Sequence, residues 1–170
     1  MRTLNPARPA RIALLVVVAL AAAAAVIGSL SPASAQAPAA TVLTFTELDK
    51  DSTFAHIRNT KTKNRRSNLL GDQIVFINPM ADTAGEVVGK LHAECVTTKG
   101  SPNFMTSTIT CSGVIKLPGG TLTLQALASP GIATTTGAIT GGTGIYANAN
   151  GVFVSVEGRR GSKDTITLAG

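Results

Sequence analysis

The chain has 170 residues, of which 44% are hydrophobic and 14% charged, and its net charge is +6. This length allows one ordinary domain with one core. Three of the fifteen basic residues stand in the first eleven positions, so the remainder has a net charge of only +3. That remainder lacks the strongly basic surface, interleaved with aromatic rings, that is typical of nucleic-acid-binding domains.

The amino terminus has the pattern of a secretory signal. Arg2, Arg8 and Arg11 form a positive segment, and residues 12–30 are an uncharged apolar run. Ala33-Ser34-Ala35 then supplies the small residues that a signal peptidase accepts. We therefore predict a signal peptide and a secreted, extracytoplasmic protein.

Cleavage is expected after Ala35, which makes residues 1–35 the signal peptide, with Ala37 as a second candidate. Residues 36–41 would then be a flexible N-terminal segment ahead of a domain over residues 42–170. Because the apolar run is nearly long enough to span a bilayer, an uncleaved anchor is the alternative. In either form the protein would contact a membrane only through this segment.

The first predicted strand covers residues 42–48, where apolar and polar side chains alternate. This alternation puts Phe45 and Glu47 on one face and Thr44 and Thr46 on the other. A second strand is predicted over residues 73–78, directly after the turn residues Gly71-Asp72.

Pro79 is expected to end this second strand because it has no N–H. The connection between the first two strands is long, polar and basic. Its charges are Arg58, Lys61, Lys63, Arg65 and Arg66. This basic cluster is read as a solvated loop, with attraction of anionic ligands as the alternative.

The two cysteines, Cys95 and Cys111, are predicted to form a disulfide. Residues 87–96 and 105–117 read as strands, and residues 99–103 carry turn chemistry. The midpoint between the cysteines falls in that turn, so in a symmetric hairpin they would stand opposite each other at a separation suited to a disulfide. A reactive thiol is the alternative.

The rest of the chain continues the β pattern. Further strands are predicted over residues 121–127, 133–140, 152–156 and 165–168, joined by glycine and proline turns. The glycine-rich stretch 138–151 leads into a strand and not a helix, so it is not a phosphate-binding loop. About eight strands with short turns, and no convincing helix after the signal, indicate an all-β up-and-down barrel or a sandwich.

Several motifs together resemble the allene oxide cyclase and dirigent superfamily. They are Ala138-Ile139-Thr140-Gly141-Gly142-Thr143-Gly144-Ile145-Tyr146 with Ala149-Asn150-Gly151, Glu47-Leu48-Asp49, Gly71-Asp72, Val88-Gly89 and Leu122-x-Leu-Gln125. The resemblance extends from residue 42 to about residue 168. It implies an eight-stranded antiparallel β-barrel with an apolar cavity, cyclisation that needs no metal or organic cofactor, and a tendency to form homo-oligomers.

The resemblance also implies candidate site residues. Thr44 and Thr46 align with a Glu and an Asn of the cyclases, and Asn78 matches a pocket Asn. We predict Asp72 and Asn78 as catalytic residues, although a turn aspartate is the plainer interpretation of Asp72. Thr44, Thr46, Asn78 and Tyr146 are predicted to contact the ligand, and no metal site is predicted.

Three functional hypotheses follow. The barrel binds an apolar, oxygenated small molecule and steers its cyclisation or stereoselective coupling; or it carries such a molecule without chemistry, as lipocalins do; or it is a structural or interaction protein whose interior is filled by side chains. The side chains inside the barrel decide among the three.

Overall fold

The computed structural model describes residues 39–59, 67–159 and 161–170. The predicted signal peptide, its cleavage site and most of the basic cluster lie outside these residues. Within them, no helix has the length and apolar character needed to cross a bilayer.

The described chain is built from antiparallel β-strands. They are β1 (Thr41–Glu47), β2 (Thr53–Ile57), β3 (Gln73–Ala81), β4 (Val87–Lys99), β5 (Thr108–Leu117), β6 (Gly120–Ala128), β7 (Thr134–Gly144), β8 (Gly151–Gly158) and β9 (Gly161–Leu168). A 3-10 turn over Phe104–Thr106 precedes β5. The all-β prediction is therefore confirmed.

Eight of these strands close into a barrel. Their order is β1-β9-β8-β7-β6-β5-β4-β3, and β3 pairs back to β1 through Thr46 with Ala81 and Glu47 with Met80. Because every strand of the ring has two neighbours, the barrel interpretation is confirmed over the sandwich. The one of the nine described strands that is not part of the ring, β2, pairs with the first half of β3.

Two sequence-based predictions were wrong in detail. The long connection after β1 contains β2, and β3 continues through Pro79 to Ala81. In a β-strand the carbonyl and the nitrogen of one residue face the same neighbouring strand. The carbonyl of Pro79 faces β1, where it accepts the N–H of Leu48 at 2.9 Å, so the nitrogen of Pro79 faces β1 as well. The missing N–H falls where the partner of β3 changes from β2 to β1, so no ladder bond is lost.

The barrel interior is packed at one end and open at the other. Buried apolar side chains fill the end where β5 finishes and β6 begins, with Met80, Ile115, Leu122 and Ile166 fully buried. The glycine-rich loop between β7 and β8 closes this end. Gly144 has φ +63°, and a Cβ there would stand 1.9 Å from Gly119 O, so the glycine motif serves close backbone packing.

The predicted disulfide is present and joins the two cysteines directly opposite each other on β4 and β5. Cys95 and Cys111 are both buried inside the barrel. On the chain-entropy account, replacing both with alanine should lower the free energy of unfolding by about 3 kcal/mol. Denaturant unfolding of the double variant beside the oxidised wild type would measure this, and a difference below about 1 kcal/mol would contradict it.

Candidate functional site

A cavity of about 420 Å³ occupies the open end of the barrel, a size suited to a drug-sized molecule. It lies where β1, β4, β6 and β8 finish and β3, β5, β7 and β9 begin. Its walls are mainly apolar. Their larger members are Phe54, Ile74, Phe76, Leu91, Phe104, Ile109, Leu124, Ile132 and Phe153, and the disulfide forms part of one wall. The interior is therefore not filled by side chains throughout.

Glu47 is the most deeply buried of the three acidic groups in the wall of this cavity. As the last residue of β1 it shares the inward face with Phe45 and is only 7% exposed. Asn78 lies one inward position along β3 from Met80, the register partner of Glu47. Its Nδ2 therefore reaches Glu47 Oε2 and donates a hydrogen bond at 2.5 Å. This neutral amide orients the carboxylate without cancelling its charge.

A second acid, Asp164, lies beside the first. It is fully buried on the inward face of β9, directly opposite Phe45 on β1 and Ser155 on β8. Neither of its carboxyl oxygens makes a hydrogen bond of normal geometry. Burial, and then the negative charge of Glu47, raise the pKa of Asp164 to about 9. Asp164 is therefore a neutral carboxylic acid at pH 7.

A neutral acid next to a carboxylate is a pair suited to acid–base chemistry. Asp164 is not itself part of the cavity lining but lies directly behind the lining residues Glu47 and Ser155, so it can donate a hydrogen bond or a proton at the cavity wall. Glu47 can accept a proton or stabilise positive charge as it develops. The apolar walls strengthen both effects because they keep water, and its high dielectric, away from the pair.

The structure brings only part of the sequence-predicted site to this cavity. Asn78 lines it, as Cys95 does. Thr44 and Thr46 lie on the opposite face of β1 from Glu47, and Thr46 is exposed. Tyr146 packs half-buried against the core at the closed end. Neither the two threonines nor Tyr146 is among the residues that line the cavity.

Asp72 is also outside the cavity lining, and its surroundings are those of a structural anchor. Its carboxylate accepts the N–H of Asn59 at 2.8 Å and of Leu69 at 2.9 Å, and His56 Nε2 stands 3.7 Å away. Burial opposes the charge, but these two hydrogen bonds and the neighbouring His56 and Arg58 outweigh it and lower the pKa of Asp72. The two ends of the β2–β3 connection are tied together here.

Sequence reasoning missed Glu47 and Asp164 as site residues. The alternation of β1 did place Glu47 on the face of Phe45, and an acid on an otherwise apolar face is a signal of function. Asp164 was harder to recognise from the sequence, because the last strand was predicted to start at residue 165 and this acid was placed outside it. Within the described residues, no three His, Cys, Asp or Glu side chains cluster so as to hold a metal ion.

Comparison with known proteins bears on the fold. No protein-family model and no curated protein matches the chain. Among solved structures, it is similar to pyocyanin demethylase, with 24% identity and a TM-score of 0.62 over 77% of this chain and 100% of that one. It is also similar to the pterocarpan synthase dirigent protein PsPTS1 (17%, 0.59, 79% and 97%). A third is AbnU, an exo-specific intermolecular Diels-Alderase (16%, 0.55, 78% and 98%).

At these identities the similarity shows a shared barrel fold. It confirms, at the level of fold, the resemblance that the glycine-rich motif indicated in the sequence. The similar structures carry different activities in their names, so the fold leaves the chemistry to be argued from the cavity.

Proposed function

We propose that this protein binds an apolar, oxygenated small molecule in the barrel cavity and steers its cyclisation or stereoselective coupling. The observation that carries the proposal is the acid pair: Glu47 lines the apolar cavity, and a buried, neutral Asp164 lies directly behind it. The names of the similar solved structures, a Diels-Alderase and a dirigent protein among them, support the same class of chemistry.

In this proposal each part of the cavity has one task. The walls hold the substrate in a folded conformation, which removes much of the entropic barrier to ring closure. Asp164, which lies directly behind the lining residues Glu47 and Ser155, donates its hydrogen bond or proton to a substrate oxygen that reaches between them, and so makes the attached carbon more electrophilic. Glu47, oriented by Asn78, stabilises the positive charge that develops or takes up the proton that is released. A cyclisation adds and removes no atoms, and when Asp164 has given up its proton and Glu47 has taken one, passage of that proton from Glu47 back to the adjacent Asp164 restores the starting state.

The acid pair distinguishes this function from simple carriage. A carrier of apolar molecules needs the walls but not a buried acid held against a second acid, which is costly to keep. The cavity also argues against the third hypothesis, a barrel whose interior is filled.

The first test compares single isosteric variants of the pair with a control. The full chain, purified with its disulfide formed, would be incubated with panels of diene–dienophile pairs, epoxidised polyenes and phenols. Native mass spectrometry would score retained ligand, and chiral chromatography would score products. We expect Glu47→Gln and Asp164→Asn to lower the rate of the steered reaction by roughly 100-fold, the size typical of losing one preorganised polar group.

Glu86→Gln is the matched control, because Glu86 is exposed in the β3–β4 turn at the far end of the barrel. It should leave rate and stereochemistry unchanged. Retained ligand with unchanged products in the wild type would instead establish a carrier. No retained ligand from any panel would contradict both functions.

A further inference from the structure

The cavity concentrates the aromatic side chains of the molecule. Four of the five phenylalanines of the chain line it: Phe54, Phe76, Phe104 and Phe153. Phe54 and Phe76 are register partners on β2 and β3, and Phe104 comes from the 3-10 turn beside the mouth. The face of an aromatic ring carries partial negative charge and attracts cations.

The charged groups of the lining are all acidic. Glu47, Asp49 and Glu157 line the cavity, whereas no Lys, Arg or His does so among the described residues. This sign is the opposite of the chain's net charge of +6, so it does not follow from overall composition. Glu47 is the deepest of the three, and no cation forms an ion pair with it in the part of the chain that the structure describes.

Asp164 supplies an independent sign of a missing ligand. It is fully buried on the interior face of β9, where the side chains of the lining residues Glu47 and Ser155 approach its carboxyl group, but neither of its oxygens makes a hydrogen bond of normal geometry. Buried polar groups in native proteins are normally satisfied, and an exception calls for an explanation, of which a catalytic role or an absent ion is one. The acids are therefore more than a solvated rim.

We propose that the ligand of this cavity is an organic cation: a flat heteroaromatic cation or a quaternary ammonium compound of drug size. A buried carboxylate without a counterion is unfavourable, and a bound cation removes that penalty. The phenylalanine rings bury the apolar surface of the ligand and also attract its positive charge through cation–π interactions. A carboxylate ligand would meet only like charge. The inference rests on the proposed function in that it takes this cavity as the substrate site.

The test uses three probes of one shape and three charges: N-methylacridinium, acridine at pH 7.5, and acridine-9-carboxylate. Binding to the full chain would be followed through probe fluorescence, to which the protein, having no tryptophan, contributes little background. We expect the cation to bind at least tenfold more tightly than neutral acridine and the anion not to bind.

Variants locate the origin of that preference. Glu47→Gln should reduce the ratio of cation to neutral affinity about tenfold. Glu157→Gln removes an exposed carboxylate at the mouth, a change that does not threaten folding, and should reduce the same ratio by a smaller factor. Glu86→Gln should not alter it.

The outcomes separate this inference from the proposed function. Equal or tighter binding of acridine or its carboxylate would overturn the charge assignment and leave the cavity as a substrate site. An unchanged preference for the cation in both Glu47→Gln and Glu157→Gln would also overturn it. If none of the three probes binds, the inference is wrong, and the proposed function is decided separately by retention of the diene, epoxide and phenol panels.

Discussion

Asparagine in place of Asp164 should make the barrel more resistant to unfolding at alkaline pH, even though it removes a group we expect the function to need. Burial and the neighbouring Glu47 raise the pKa of Asp164 from 3.8 to about 9 on folding. Between those values the native protein holds a proton that the unfolded chain has released. The free energy of unfolding therefore falls as the pH rises, by about 1.4 kcal/mol per pH unit for this group.

The expected result is a difference that grows with pH. Asp164→Asn cannot release a proton, so its curve of stability against pH should lack this slope. From pH 5 to pH 8 the variant should gain about 4 kcal/mol relative to the wild type. Denaturant unfolding at several pH values would measure the gain.

Asp51→Asn is the matched control for this substitution. Asp51 is exposed in the turn after β1, where φ is 65°, a conformation that asparagine also adopts. It should follow the wild-type curve. Parallel curves for Asp164→Asn and the wild type between pH 5 and pH 8 would mean that Asp164 is ionised in the folded protein, and the acid of the proposed mechanism would be lost.

Asp164→Asn should therefore raise the free energy of unfolding and lower the rate of the steered reaction. A buried acid beside a second acid, with no hydrogen bond of normal geometry, weakens the fold, and asparagine has nearly the same shape without the ionisable group. Natural proteins keep such unfavourable groups at functional sites, where activity opposes stability. A variant that is more stable and yet inactive would support the assignment of Asp164 more strongly than loss of activity alone.

The sequence predicted most of the strands because their faces differ in polarity. In β1 the alternation correctly placed Phe45 and Glu47 together on the inner face. Thr44 and Thr46, which the resemblance to the cyclases indicated as ligand contacts, lie on the other face of β1 from Glu47, and their role stays a prediction. The same alternation makes Glu47 a candidate, because it is an acid on an otherwise apolar inner face.

Closure of the ring could not be predicted from local patterns. It depends on the pairing of Glu47 with Met80, two residues 33 positions apart, and on β2 leaving the second half of β3 free for β1. β2 itself was missed because its residues alternate weakly and four of its five are exposed. The proximity of Asp164 to Glu47 has the same non-local origin, because the first and last strands become neighbours only in the folded barrel.

Replacing Asp72 with alanine should destabilise the protein strongly and leave ligand selectivity intact. The substitution removes a buried acceptor from the N–H groups of Asn59 and Leu69 and a negative charge from beside His56. Two unsatisfied donors and a lost charge partner together correspond to a loss of roughly 3–5 kcal/mol. Because the pKa of Asp72 is lowered in the folded protein, this contribution is present at neutral pH and is lost as the pH falls through the folded-state pKa.

Asp72→Asn separates an anchoring role from a catalytic one. Its amide oxygen can still accept one of the two N–H groups, so its loss of stability should be smaller than that of the alanine variant. Both variants, assayed under conditions where they remain folded, should keep the wild-type ratio of cation to neutral affinity, since Asp72 is outside the cavity lining. Wild-type stability combined with loss of the steered reaction would reverse this assignment and restore Asp72 as the acid that acts on the substrate.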